Sequence, residues 1–154
     1  MHKQWQTGSE AETEQIGEQI GARLRGGEVI ELRSDVGGGK TVFTRGLARG
    51  AGSQDTVASP TFTITKEYKV DKPSGLSRII HADMYRLSDP GVMRHELADA
   101  VDEHSALVVE WADIVQDVLP DERVVIEITR GAEDDRTIDI SVPETLSYLL
   151  ENVS

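Results

Sequence analysis

Gly37, Gly38 and Gly39, followed at once by Lys40 and Thr41, constrain this chain more than any other stretch. Glycine loses more backbone freedom on folding than any other residue, so such a run persists where bare backbone is needed. Before it, "EVIELRS" (28–34) is short, apolar and rich in β-branched residues, and reads as a strand. After it, "KTVFTRGLARGAG" (40–52) reads as a helix that breaks at its own glycines.

Strand, glycine loop, Lys-Thr and helix follow in the order of a phosphate-binding P-loop. Glycines let successive backbone N–H groups turn inward around an anion, and the helix adds its positive N-terminal end. Lys40 can reach β- and γ-phosphates, and the Thr41 hydroxyl can complete an oxygen shell around Mg²⁺. The expected nucleotide contacts are Gly37, Gly38, Gly39, Lys40, Thr41 and Val42. The full pattern G-x-x-x-x-G-K-[ST] fails at one letter, because Ser34 stands where the first glycine belongs. That substitution costs loop geometry only if the position needs a conformation reserved for glycine. The plain alternative is a glycine-rich turn with an exposed lysine; the flanking strand and helix favour the phosphate cradle.

A Mg-ATP site also needs carboxylates, usually at the end of a neighbouring hydrophobic strand. Asp83 ends "RIIHAD" and Glu110 ends "LVVE". Ligands gather at the carboxyl ends of parallel strands, so both acids can converge on Thr41 and a metal. One would hold Mg²⁺ and the other orient or activate the attacking water, in an order the residues leave open. With Lys40 they form the expected catalytic set, and with Thr41 the expected metal set. His81 and His95 show no metal-ligand spacing, and Trp111 reads as a core residue. Arg45, Arg86 and Arg136 are candidates to neutralise phosphate charge, although solvated arginines are common. Lys40 is expected to be solvated when the site is empty.

The rest of the chain supplies a frame for such a site. Ser9 and Glu12 make a capping box before an apolar stripe of Ile16, Ile20 and Leu24, ended by Gly26 and Gly27. Strands are expected over 59–70, over 77–87 ending near Asp83, and over 105–112. A closing hairpin is expected over 123–131 and 136–142, and helices over 89–103 and 143–153. With 154 residues and no repeat or linker, the expectation is one α/β domain spanning 1–154. It would be P-loop NTPase-like, with a mixed parallel and antiparallel sheet flanked by helices. No apolar run approaches a membrane span, no secretory leader is evident and cysteine is absent, so a cytoplasmic protein is expected. The net charge of −12 opposes direct binding to a phosphate backbone, so any role with nucleic acid should run through a partner.

Taken together, "SDVGGGKTVFTRGL", "SPTFTI", "HADMYRL" and "VVEWAD" resemble, in order and spacing, the TsaE (YjeE) family of small bacterial P-loop ATPases. The resemblance covers essentially the whole chain. It implies ATP on residues 37–42, with Lys40 on the phosphates and Thr41 on Mg²⁺. It implies metal and hydrolytic roles for Asp83 and Glu110, a mobile segment at Ser59, Pro60 and Thr61, and a tryptophan, Trp111, beside the nucleotide. It further implies slow ATP hydrolysis alone and action with TsaD and TsaB proteins in making threonylcarbamoyladenosine in tRNA, the partner handling the tRNA. Ser34 departs from the family pattern, as does Val42, which lacks a hydroxyl near the α- and β-phosphates and would lower nucleotide affinity. Two other functions fit a P-loop: a small metabolite kinase, and a nucleotide-gated assembly module without significant turnover. No arginine-dense helical lid supports the first, and only Ser34 and Val42 motivate the second.

Overall fold

A seven-stranded mixed sheet carries the molecule in the computed structural model, which describes residues 1–34, 37–58, 65–71, 75–85, 91–100 and 102–154. The strands are β1 (His2–Thr7), β2 (Val29–Arg33), β3 (Thr65–Lys69), β4 (Arg78–Asp83), β5 (Ser105–Glu110), β6 (Val124–Arg130) and β7 (Arg136–Ser141). Their order across the sheet is β1-β7-β6-β2-β5-β4-β3. The four central strands β6, β2, β5 and β4 run parallel, while β1, β7 and β3 pair antiparallel at the two sides. Every residue of β5 is buried, which matches a continuous apolar strand covered on both faces.

Helices α1 (Glu10–Gly21), α2 (Lys40–Ala51) and α3 (Gly91–Ala100) complete the frame. One apolar cluster joins Ile16, Ile20, Phe43 and Leu47 of α1 and α2 to Ile30, Leu32, Ile79 and Val108 of the sheet. A second cluster joins Val29, Ile80, Leu107 and Val109 to Leu97 of α3 and Val115. Alternate residues of each strand thus feed opposite faces. The β6–β7 hairpin closes through Gly131 N–H to the Asp135 carbonyl at 2.8 Å, around the acidic loop read from the sequence.

Helix α2 does not break at its internal glycines. It runs through Gly46 and Gly50 and stops at Gly52, whose φ of 101° makes the left-handed cap. The internal glycines serve packing instead. A Cβ on Gly46 would lie 2.2 Å from the Glu14 carbonyl oxygen, and one on Gly50 would lie 1.9 Å from that of Glu18. In return, a Cβ on Gly17 would meet the Phe43 carbonyl oxygen at 2.5 Å, and one on Gly21 that of Leu47 at 2.1 Å. Two glycine pairs spaced by four residues therefore let α1 and α2 approach backbone to backbone. This contact anchors the helix whose first turn is the proposed phosphate site.

Other boundaries shift for local reasons. Helix α1 ends at Gly21, earlier than Gly26 and Gly27, which take φ of 108° and 89° in the following turn. The N-terminal residues form edge strand β1, unforeseen because "HKQWQT" is mostly polar; its register sets Trp5 opposite Ile138. The C-terminal segment Glu144–Leu150 is 3₁₀, interrupted at Leu146 (φ −112°, ψ 15°), rather than a continuous helix. Within the expected strand 59–70, β3 covers Thr65–Lys69; Ser59, Pro60, Thr61, Arg86 and Pro90 lie outside the described residues. Among the described residues no helix is long and apolar enough to cross a membrane.

Candidate active site

Strands β2, β4 and β5 run parallel, so their carboxyl ends meet at one edge of the sheet. Leu32 and Asp83 both pair in register with Glu110. The glycine loop leaves β2 there and enters α2, so Lys40, Asp83 and Glu110 converge without any long connection.

The two main helices end differently, and the difference is chemical. At α1 the Ser9 hydroxyl accepts the Glu12 N–H at 3.2 Å, the Glu12 carboxylate accepts the Gly8 N–H at 2.7 Å, and Glu10 and Glu12 sit in the first turn. That helix supplies its own anions. At α2 the cap is Gly39, with φ of 106°, no side-chain cap bond and no acid in the first turn. The first N–H groups of a helix have no carbonyl partner within it, and among the described residues no side chain caps them here. Gly37 also takes a positive φ, 77°. The non-glycine residues described with positive φ are Trp111, Glu133 and Asn152, and Ser34 is not among them. Serine at that position therefore costs no backbone strain.

Lys40 is not solvated, contrary to expectation. It is only 8% exposed. Its Nζ donates to the Ser34 carbonyl at 3.3 Å, lies 3.7 Å from Glu110 Oε1, and sits 4.3 Å over the Trp111 ring. Trp111 adopts φ 55° directly after β5, a conformation uncommon for a bulky residue. This turn presents the indole ring to the ammonium and to Tyr85, whose ring centroid is 4.8 Å away. Trp111 thus belongs to the site rather than to the core alone.

Glu110 is engaged on both oxygens. Oε1 faces Lys40, and Oε2 is hydrogen-bonded to Nε2 of His81, which is completely buried. His81 Nδ1 lies 3.0 Å from the Tyr68 hydroxyl, which donates to the Ala58 carbonyl at 3.1 Å. The histidine set aside on spacing is therefore a contact of the central acid. The available signal was alternation: His81 and Asp83 are two apart on β4, so they share a face beside Glu110. Arg136, ranked low from the sequence, donates through Nε to the Gly38 carbonyl at 2.9 Å and braces the glycine loop. Arg45, half-buried on α2, makes no hydrogen bond or ion pair with the site among the described residues.

Asp83 accepts the Tyr85 N–H at 2.9 Å. Burial pushes its carboxyl above the ordinary value; the Tyr85 N–H opposes this, Glu110 adds to it, and Lys40 and His81 oppose it more weakly. A raised acid favours the fold when protonated, so ionised Asp83 costs stability above its folded-state value and nothing below about pH 3.8. Asp83→Asn should therefore raise the melting temperature of the metal-free protein at neutral pH, with the gain shrinking as pH falls. Thermal unfolding in chelator across that range checks this; a loss of stability at neutral pH would contradict it. Among the described residues no three His, Asp or Glu side chains form a ready metal cluster.

The family model for threonylcarbamoyl adenosine biosynthesis protein TsaE matches residues 7–138. The chain belongs to the TsaE family. Among TsaE proteins, that of Bacillus subtilis is 39% identical over 97% of this chain and 92% of its own length. That of Streptomyces coelicolor is 33% identical over 78% of this chain and 80% of its own. A crystal structure of Bacillus subtilis YdiB superposes with a TM-score of 0.76 at 33% identity, covering 99% of this chain and 94% of that one. The TsaE model spans the glycine loop, both strand-end acids and Arg136.

Proposed function

We propose that this chain is the Mg-dependent ATPase component of tRNA threonylcarbamoyladenosine biosynthesis, the process in the names of its TsaE relatives. It would act with TsaD and TsaB proteins, which handle the tRNA. The observation that carries the reading is the uncapped α2 N-terminus whose Lys40 already touches the strand-end acid Glu110. The net charge of −12 agrees with leaving the tRNA to a partner.

In this reading the N–H groups of residues 37–42 and Lys40 hold the phosphates. Thr41 Oγ1 and Asp83 are the groups suited to Mg²⁺, which would offset phosphate charge when bound. Glu110, facing the same space through Oε1, orients the attacking water. Lys40 must then exchange Glu110 and Trp111 for phosphate oxygens, so turnover by the chain alone is expected to be slow. The exchange also frees Glu110 Oε1 for water as nucleotide arrives.

ADP release measured alone and with TsaD and TsaB, for wild type and Glu110→Gln, tests the proposal. Partner-stimulated turnover is expected in wild type. Glu110→Gln should lose about 10²–10⁴-fold in kcat, the usual weight of a positioned proton-transfer group, while still binding ATP. Binding without turnover under any condition would favour the nucleotide-gated module instead.

A further inference from the structure

The hydrogens in the chain Ala58–Tyr68–His81–Glu110 can be counted. A carbonyl only accepts, so the single Tyr68 hydroxyl hydrogen is spent on Ala58. The Tyr68 oxygen can then meet His81 Nδ1 only as an acceptor, which places a hydrogen on Nδ1. The bond from Nε2 to Glu110 Oε2 needs one further hydrogen between those two atoms. Oε2 is thereby committed to His81, and the carboxylate cannot rotate without breaking a completely buried bond. Only Oε1 remains directed at Lys40 and the nucleotide side.

We propose that His81, held between the Tyr68 hydroxyl and Glu110 Oε2, is a positioning residue that aims Glu110 Oε1 at the reacting water. This rests on the ATPase reading above. The placement follows from topology: His81 comes from β4, Glu110 from its parallel neighbour β5, and Tyr68 from the antiparallel edge strand β3. Three strands must be in register for the ring to bridge its partners. In the ladder His81 lies between Lys66 of β3 and Val108 of β5.

Two measurements decide it. Long-range ¹H–¹⁵N spectra of the histidine rings, with His81 assigned by its loss in His81→Gln, should show Nδ1 carrying hydrogen in the nucleotide-free protein. In MgATP turnover, His81→Leu should lower kcat about 10–100-fold, the usual cost of losing a partner that orients a functional ligand. KM should stay within about threefold, because ground-state binding is untouched. His81→Gln keeps an amide that can donate to Oε2 and should recover most of the loss. Tyr68→Phe, which removes one hydroxyl and keeps the ring, should lower kcat severalfold and serves if the leucine variant does not fold. A bare Nδ1, wild-type kcat in both His81→Leu and Tyr68→Phe, or equal damage by leucine and glutamine would overturn the proposal. A wild-type chain with no turnover alone or with partners would instead bring down the ATPase reading, and the positioning role of His81 with it.

Discussion

Gly50→Ala and Gly21→Ala should each destabilise the protein by about 2–4 kcal/mol, although alanine is the better helix former. The new Cβ on Gly50 would fall 1.9 Å from the Glu18 carbonyl oxygen and 2.9 Å from its Cα, and that on Gly21 2.1 Å from the Leu47 carbonyl oxygen. These obstacles are helix backbone, which no rotamer change can move. Overpacking typically costs about 1–3 kcal/mol and occasionally more, and against helix backbone this close it should reach about 3–5 kcal/mol, of which replacing a helical glycine by alanine returns about 1 kcal/mol. At roughly 2–4 °C per kcal/mol for a chain of this size, the melting temperature should fall by about 5–15 °C. Gly8→Ala is the control, because its Cβ would meet nothing closer than 3.7 Å and the position has no positive φ. Calorimetry of the three variants settles the matter; a Gly50→Ala protein as stable as wild type would mean that the helices part at no cost. Separation would also move α2, and Lys40 with it.

Lys40→Ala is expected to abolish ATP-dependent function and also to weaken the empty protein. The functional loss should reach about 10³-fold in kcat/KM, as for removal of a preorganised group that meets developing charge. The stability loss arises because Lys40 is buried between the Ser34 carbonyl, Glu110 and the Trp111 ring. Stripping one partner from a fully buried pair costs roughly 3–5 kcal/mol. Here the 3.7 Å separation and the retained His81 contact reduce the expected loss to about 1–3 kcal/mol. Lys40→Met keeps the apolar stem but not the charge, so it should be equally inactive and lose less packing. Wild-type ATP turnover in either variant would remove Lys40 from the mechanism.

The glycine loop was legible because its chemistry is local. A strand, three glycines, Lys40, Thr41 and a helix form one contiguous unit, although Arg136 from β7 braces its Gly38 carbonyl. The acids Asp83 and Glu110 were legible for a related reason, since each closes an apolar run and parallel strands deliver their carboxyl ends to one edge. The capping box and the final hairpin were equally local.

What was misread depended on contact between distant segments. Gly46 and Gly50 looked like helix breakers because a glycine pays its propensity cost within its own helix, whereas its benefit lies in the carbonyls of another. Lys40 looked solvated because nothing beside it in sequence shows that Trp111 will turn its ring onto the ammonium. His81 looked inert because metal-ligand spacing was the pattern sought, while its partners Tyr68 and Glu110 lie 13 and 29 residues away. The sequence by itself determined the glycine loop between strand and helix, the two strand-end acids and the alternation of strands and helices, because each is written in neighbouring residues. Tertiary structure alone decided how close α1 and α2 lie, where Lys40 rests and which way Glu110 points, because those depend on packing and hydrogen bonds between segments far apart in the chain.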